Sequence, residues 1–236
     1  TQSEGFISLA GGLPNPGAFP VDIIHECIEK VFKTNIHNAL QYGTTEGLPL
    51  LRSVLAQRMR ERKDIDCELH DILITSGAQQ ALSFIGFNLL DPGDTYITSA
   101  PTYLGALQAF HAYQGNCECI PMNDEGIDID SLRRNLKRLH RTGITPKFLY
   151  AVATFQNPSG ESISLDHRKE LLEIASEYDF LIIEDDPYGE LVFEGEPIPS
   201  IKSLDKKGRV VYIGTFSKVL APGFRLAWVI ASEEII

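Results

Sequence analysis

The chain has 236 residues, 43% of them hydrophobic, enough to bury a sizeable core in one large domain or two small ones. Its 21 Lys and Arg stand against 32 Asp and Glu, a formal charge of -11, and that acidity argues against a nucleic-acid surface, which needs clustered cations. No apolar run approaches the ~20 residues that cross a bilayer, and Thr1-Gln-Ser-Glu4 is not the start of a signal peptide.

Cys27, Cys67, Cys117 and Cys119 form no C-x-x-C pair and have no histidine at zinc-finger spacing, so neither a disulfide framework nor a metal site is expected. Free thiols fit a reducing compartment, and a soluble cytoplasmic protein is expected, with no membrane or nucleic-acid partner.

In chain order, residues 5–19 are rich in Gly, Pro and Asn and read as an extended or looping segment. Ile23, Ile24, Cys27, Ile28, Val31 and Phe32 recur at helical spacing behind Asp22, which predicts an amphipathic helix over 21–34. Leu48, Leu51, Val54, Leu55 and Met59 mark a second helix whose Arg-rich outer face reads as solvated. From residue 71 short apolar runs alternate with helical patterns. Strands are predicted at 72–75, 95–98, 117–120, 147–152, 180–183, 210–214 and 226–231, with helices at 78–90, 104–113, 129–140 and 165–178. This alternation predicts an α/β fold, a mixed and mostly parallel sheet sandwiched by helices. Ligands of such sheets bind at the carboxyl ends of strands.

Those strand ends carry unusual residues. Ser76-Gly-Ala-Gln-Gln80 follows the first strand and enters a helix, where free N–H groups and the dipole favour a phosphate, although simple turn chemistry gives the same pattern. Ala100-Pro-Thr-Tyr103 follows the second strand, and its aromatic is either core or a ring-stacking face. Thr154-Phe-Gln-Asn-Pro-Ser-Gly160 reads first as a turn. Glu184-Asp-Asp-Pro-Tyr-Gly-Glu190 crowds four acids at a strand end, which is either a surface turn or a site where something cationic offsets the repulsion.

The centre of the chain is Gly214-Thr-Phe-Ser-Lys-Val-Leu-Ala-Pro-Gly-Phe-Arg-Leu-Ala-Trp228, a Gly/Pro-containing loop between two strand-like runs. A lysine is ordinarily solvated. Partly desolvated, Lys218 becomes a nucleophilic amine able to form a Schiff base, with Thr215, Ser217 and Arg225 as donors to a nearby phosphate.

The run S-K-x-L-A-P-G-x-R-L-A-W resembles the cofactor-lysine region of class I/II aminotransferases, the pyridoxal-phosphate (PLP) enzymes of fold type I. Within them it is similar to the 2-aminoadipate/kynurenine aminotransferase branch. The resemblance implies that Gly77, Ala78 and Gln79 cup the phosphate, that Tyr103 stacks on the pyridine ring and that Asn157 and Tyr188 contact its O3′. It also implies that Asp185 pairs with the ring nitrogen and Lys218 carries the cofactor, with Lys218, Asp185 and Tyr188 as the catalytic group. The segment Gly11-Gly-Leu-Pro-Asn-Pro16 resembles a loop that closes over substrate, making Gly12, with Asn157, a substrate contact. Gln41-Tyr-Gly-Thr-Thr-Glu-Gly47 resembles the segment whose tyrosine, here Tyr42, reaches the phosphate of a neighbouring subunit in a homodimer.

On the same basis residues 1–40 belong to a substrate lid or small domain, and 41–236 form a large PLP-binding domain. The chain starts without Met and stops at Ala231-Ser-Glu-Glu-Ile-Ile236, where such enzymes continue into a C-terminal small domain holding the arginine for the substrate carboxylate. The expected activity is transfer of an amino group between an L-amino acid and a 2-oxo acid. A β-lyase of the same fold and a non-catalytic PLP-sensing regulator are the alternatives.

Overall fold

The computed structural model describes residues 12–236. Eight strands form one sheet: β1 (Ile72–Thr75), β2 (Thr95–Ala100), β3 (Asn116–Asn123), β4 (Gly126–Ile127), β5 (Phe148–Val152), β6 (Leu181–Asp186), β7 (Val210–Thr215) and β8 (Ala227–Ile230). Their order is β1-β8-β7-β6-β5-β2-β3-β4. The pairs β3/β2, β2/β5, β5/β6 and β6/β7 are parallel, whereas β8 runs antiparallel to both β1 and β7, and β4 antiparallel to β3. The mixed, mostly parallel sheet expected from the strand–helix alternation is therefore present.

Side chains alternate across the pleat with period two, so each strand feeds two cores. Leu149 and Ala151 join Ile97, Ile120 and Ile182 beneath α6 (Ile129–Arg141) and α7 (Leu165–Glu177). Phe148, Tyr150 and Val152 face the other way, with Ile183 and Ile213, beneath α4 (Ala78–Leu89) and α5 (Leu104–His111). A third cluster lies under α3 (Pro49–Lys63), where Leu55 and Met59 meet Tyr212 and Trp228. The same alternation decides where the acidic strand end points. Asp185 shares the α4/α5 face with Ile183, while Glu184 and Asp186 share the opposite face.

Each acid then finds its own partner. Glu184 accepts from the Ile201 and Lys202 backbone N–H groups at 2.8 Å each, at the start of the short helix α8 (Ile201–Leu204). Asp186 accepts from Lys63 Nζ, the Tyr212 hydroxyl and the Gly189 N–H, all at 2.8 Å, and Glu190 pairs with Arg58. Tyr150 serves Asp185. The repulsion anticipated from four clustered acids is resolved by separation onto two faces and by individual donors.

The α3 arginines follow the sequence reading only in part: Arg60 and Arg62 are exposed, whereas Arg52 is buried and donates to the Leu69 carbonyl and the half-buried Arg58 is tied to Glu190. Conversely, α1 (Val21–Thr34), whose amphipathic pattern predicted one buried face, buries no residue, and Val21, Ile23, Ile28, Val31 and Phe32 are exposed.

Candidate active site

The carboxyl ends of β5, β6 and β7 and the start of α4 surround one cavity of about 230 Å³. It is lined by Gly12, Ala78, Gln79, Tyr103, Asn157, Asp185, Tyr188, Thr215, Ser217, Lys218 and Arg225, together with Val152, Pro187 and Pro222. Eleven residues singled out in the sequence, from segments up to 213 positions apart (Gly12 to Arg225), thus meet at one place. Two do not line it. Gly77 sits immediately behind, and Tyr42 is 98% exposed on the α2–α3 connection, after the short helix α2 (Ile36–Leu40). Residues 1–11 lie outside the described residues, so the Gly11–Pro16 loop is described only from Gly12 onward.

Asp185 is the most deeply set polar group, 3% exposed. The Tyr150 hydroxyl donates to its Oδ2 at 2.8 Å, and Oδ1 is buried with no partner among the described residues. Burial pushes this carboxyl up to about 7, against the lowering effect of the Tyr150 hydrogen bond. A buried carboxylate oxygen without a donor is costly, so this atom calls for a hydrogen-bond donor from whatever fills the cavity.

Lys218 lies at the other side, half-buried, with its Nζ donating to the Gly12 carbonyl at 2.7 Å. Partial burial lowers the pKa of this amine, which moves it towards the neutral, nucleophilic form. The Thr215 and Ser217 hydroxyls lie 2.9 Å apart, and the Ser217 N–H donates to Thr215 Oγ1 at 3.1 Å.

The start of α4 is built for an anion. Its N-cap, Gly77, has no side chain to cap the helix and adopts φ 86°, ψ 162°, a region open essentially to glycine alone. A Cβ there would collide with the Arg225 guanidinium, so the absence of a side chain is what lets this cation lie against the helix start. First-turn N–H groups, the dipole and a guanidinium together favour negative charge at this point.

On the remaining wall, Tyr103 is the N-cap of α5 and its ring passes over Gly105, where a Cβ would strike it. Gln79 Nε2 donates to the Gly105 carbonyl at 2.8 Å, tying α4 to α5 beneath that ring. Asn157 precedes Pro158 in a cis peptide bond and stands beside the Tyr188 phenol, whose pKa is raised by burial and then by the Asp185 charge.

Sequence reasoning missed Tyr150 and Gly105. Tyr150 is hidden within an apolar strand run; the available signal is its place two residues before the strand end, diagonal to Asp185 in register (Tyr150 opposite Ile183, Val152 opposite Asp185). For Gly105 the only signal is its position two residues after Tyr103.

This cavity, with its lysine, buried carboxylate and anion-binding helix start, is of a type used by cofactor-dependent enzymes. The chain belongs to the aminotransferase class I and II family, whose family model matches residues 15–236. Aromatic-amino-acid aminotransferase 1 of Thermococcus litoralis is 51% identical over 235 residues, all of this chain and 56% of the relative. Among solved structures, a Pyrococcus horikoshii kynurenine aminotransferase in complex with PMP aligns with a TM-score of 0.94 at 50% identity, covering 97% of this chain and 56% of that one. The α-aminoadipate aminotransferase LysN of Thermus thermophilus, complexed with N-(5′-phosphopyridoxyl)-L-leucine, aligns at 0.89 and 38% identity, covering 98% and 57%. The chain spans a little over half the length of these relatives.

The cofactor of this family is pyridoxal 5′-phosphate. The donor set fits it: an orphaned carboxylate oxygen for a protonated ring nitrogen, an uncapped helix start with Arg225 for a phosphate, and an amine for an aldehyde.

Proposed function

We propose that the protein is a PLP-dependent aminotransferase that moves an amino group between an L-amino acid, of the 2-aminoadipate, glutamate, aromatic or branched-chain type, and a 2-oxo acid. The observation that carries this reading is the shared cavity of Lys218 and Asp185, an amine of lowered pKa and a carboxylate with one unpartnered buried oxygen. The relatives at 51% and 38% identity, named for aromatic amino acids and α-aminoadipate, support the substrate range.

When bound, the cofactor supplies the electron sink that takes up the charge left at the substrate Cα. Gly77, Ala78, Gln79, Thr215, Ser217 and Arg225 hold its phosphate through N–H, hydroxyl and guanidinium donors. Asp185 Oδ1 would accept from a protonated ring nitrogen, and Tyr103 would cover the ring face. Asn157 and Tyr188 would donate to the cofactor's phenolic oxygen. Lys218 would hold the cofactor through its Nζ and, as an amine of lowered pKa in the same cavity, would be placed to move the substrate Cα proton, a general acid/base contribution of about 10²–10⁴-fold. Gly12 lies over the amine and closes the substrate side, accepting the Lys218 hydrogen bond in the free chain. Pro187, Pro222 and Val152 exclude water from the walls.

Residues 1–40 serve as lid and small-domain segment and 41–236 as the cofactor domain; the unburied α1 and α2 and a core that begins with α3 support this division. Tyr42, almost wholly exposed, reaches the phosphate of a second subunit in a homodimer. Among the described residues no helix is long and apolar enough to cross a membrane, and the four cysteines are free, which supports a cytoplasmic location.

Product analysis tests the reaction. The account expects a 2-oxo acid formed in step with amino transfer, and an Asp185→Ala variant that loses most turnover. Pyruvate with ammonia would instead assign a β-lyase, and undiminished turnover in Asp185→Ala would remove that residue from its role.

A further inference from the structure

We infer that Tyr150 is a positioning residue for the reaction: its buried hydroxyl fixes the Asp185 carboxylate so that one oxygen stays free and aimed into the cavity. This inference rests on the proposed PLP site. Tyr150 is completely buried in the α4/α5 core, its ring edge against Phe110 at 5.7 Å. Strand register explains how it reaches Asp185. Val152 stands opposite Asp185 and Tyr150 opposite Ile183, so Tyr150 and Asp185 are diagonal neighbours on one face of β5 and β6, a span a tyrosine side chain covers.

The hydroxyl donates to Oδ2 at 2.8 Å, while Oδ1 has no partner among the described residues. A carboxylate with only apolar neighbours would be free to rotate and would hold its own proton. One donor on one oxygen fixes its plane, favours its charged form and leaves a single acceptor for the ring nitrogen. The hydroxyl belongs to the packed strand interior rather than to a mobile loop, so it holds that geometry before the cofactor arrives.

The other titratable or charged groups around Asp185 do not duplicate this contact. Asp186 is next along the strand and raises the Asp185 pKa through its charge. From the loop after β6 comes Tyr188, from the start of α5 Tyr103, and from the loop after β7 Lys218 and Arg225, all lining the same cavity without a hydrogen bond to the carboxylate.

The test uses the full-length protein, wild type and Tyr150→Phe, which keeps the ring and removes only the hydroxyl. The first readout is the carboxyl titration of cofactor-free protein, followed by infrared difference spectroscopy, with Asp185→Asn identifying the band. Tyr150→Phe is expected to move the Asp185 titration to higher pH, and an unchanged titration overturns the proposal. The second is a cycle on kcat of the PLP-loaded enzyme. Loss of a hydrogen bond to a charged group is expected to lower kcat by on the order of tenfold, but to add little in the Asp185→Asn background, because Tyr150 acts through that carboxylate. Equal losses in both backgrounds overturn it. A wild type that takes up no PLP would refute the functional reading, and the cofactor-free titration would still decide whether Tyr150 governs Asp185.

Discussion

The Arg225 guanidinium occupies the space where a side chain on Gly77 would begin, so a residue after β1 and one just before β8, adjacent strands of the sheet, are fitted to each other at the start of α4. Gly77→Ala is expected to weaken the protein twice over. The backbone conformation, strained for any L side chain, costs about 1–3 kcal/mol, and the methyl displaces Arg225. Urea unfolding should show the stability loss, and titration with PLP a weakened affinity. Unchanged PLP affinity in a folded Gly77→Ala protein would remove the phosphate from this corner.

Protonation of buried carboxyls gives the cofactor-free protein a specific pH dependence. Burial pushes Asp185 and Glu184 each up to about 7, from ordinary values of 3.8 and 4.5. A carboxyl whose folded pKa exceeds its unfolded value binds a proton on folding. Its stabilising contribution is complete below the unfolded pKa and is lost as pH rises through the folded one. For Asp185 that window runs from about 4 to about 7. Asp185→Asn, which cannot ionise, should therefore gain stability relative to wild type across this interval and hold a constant advantage above it. Parallel stability curves for the two proteins, measured by urea unfolding between these pH values, would contradict the burial-driven shift.

Arg168 on α7 ties together the loops that carry the site. Fully buried, it donates to the carbonyls of Ile163, Ala153 and Pro199 and to the Thr154 hydroxyl, at 2.7–2.9 Å. Arg168→Met would leave several buried acceptors without donors and withdraw the positive charge near Glu184, at an expected cost on the order of 3–5 kcal/mol. Arg168→Lys should recover little, because an ammonium cannot present the same fork. A denaturation midpoint within experimental error of wild type for Arg168→Met would show that water replaces these bonds.

Most of the layout was legible in the sequence because the central strands β5, β6 and β7 are short runs, apolar and buried on both faces, and the strands are separated by turn residues. The amphipathic helices α6 and α7 were equally plain, opened by Asp128 and Ser164, whose side chains accept from N–H groups of the first turn. Three short elements went unread: α2, which buries no residue, and two held by tertiary contacts, β4, with two residues paired to β3, and α8, with four, started by Ser200 and by Glu184 accepting its first N–H groups. At the site, loop residues with distinctive chemistry, such as Lys218, Asp185 and Arg225, could be read, whereas Tyr150 could not. A strand tyrosine looks like core until register shows that its hydroxyl meets a carboxylate. Arg52 and Arg58 misled for the converse reason, since charge suggests solvent and only the folded segments around Leu69 and Glu190 reveal their partners.

The half-reaction of the full-length protein tests the central claim most directly. Loaded with PLP, the protein should show the visible absorbance of a lysine-bound cofactor, absent in Lys218→Ala, and 2-aminoadipate or glutamate should convert it to the pyridoxamine form as one equivalent of 2-oxo acid appears. A wild type without that band, or a band that no amino acid discharges, would contradict the assignment of Lys218 and of transamination.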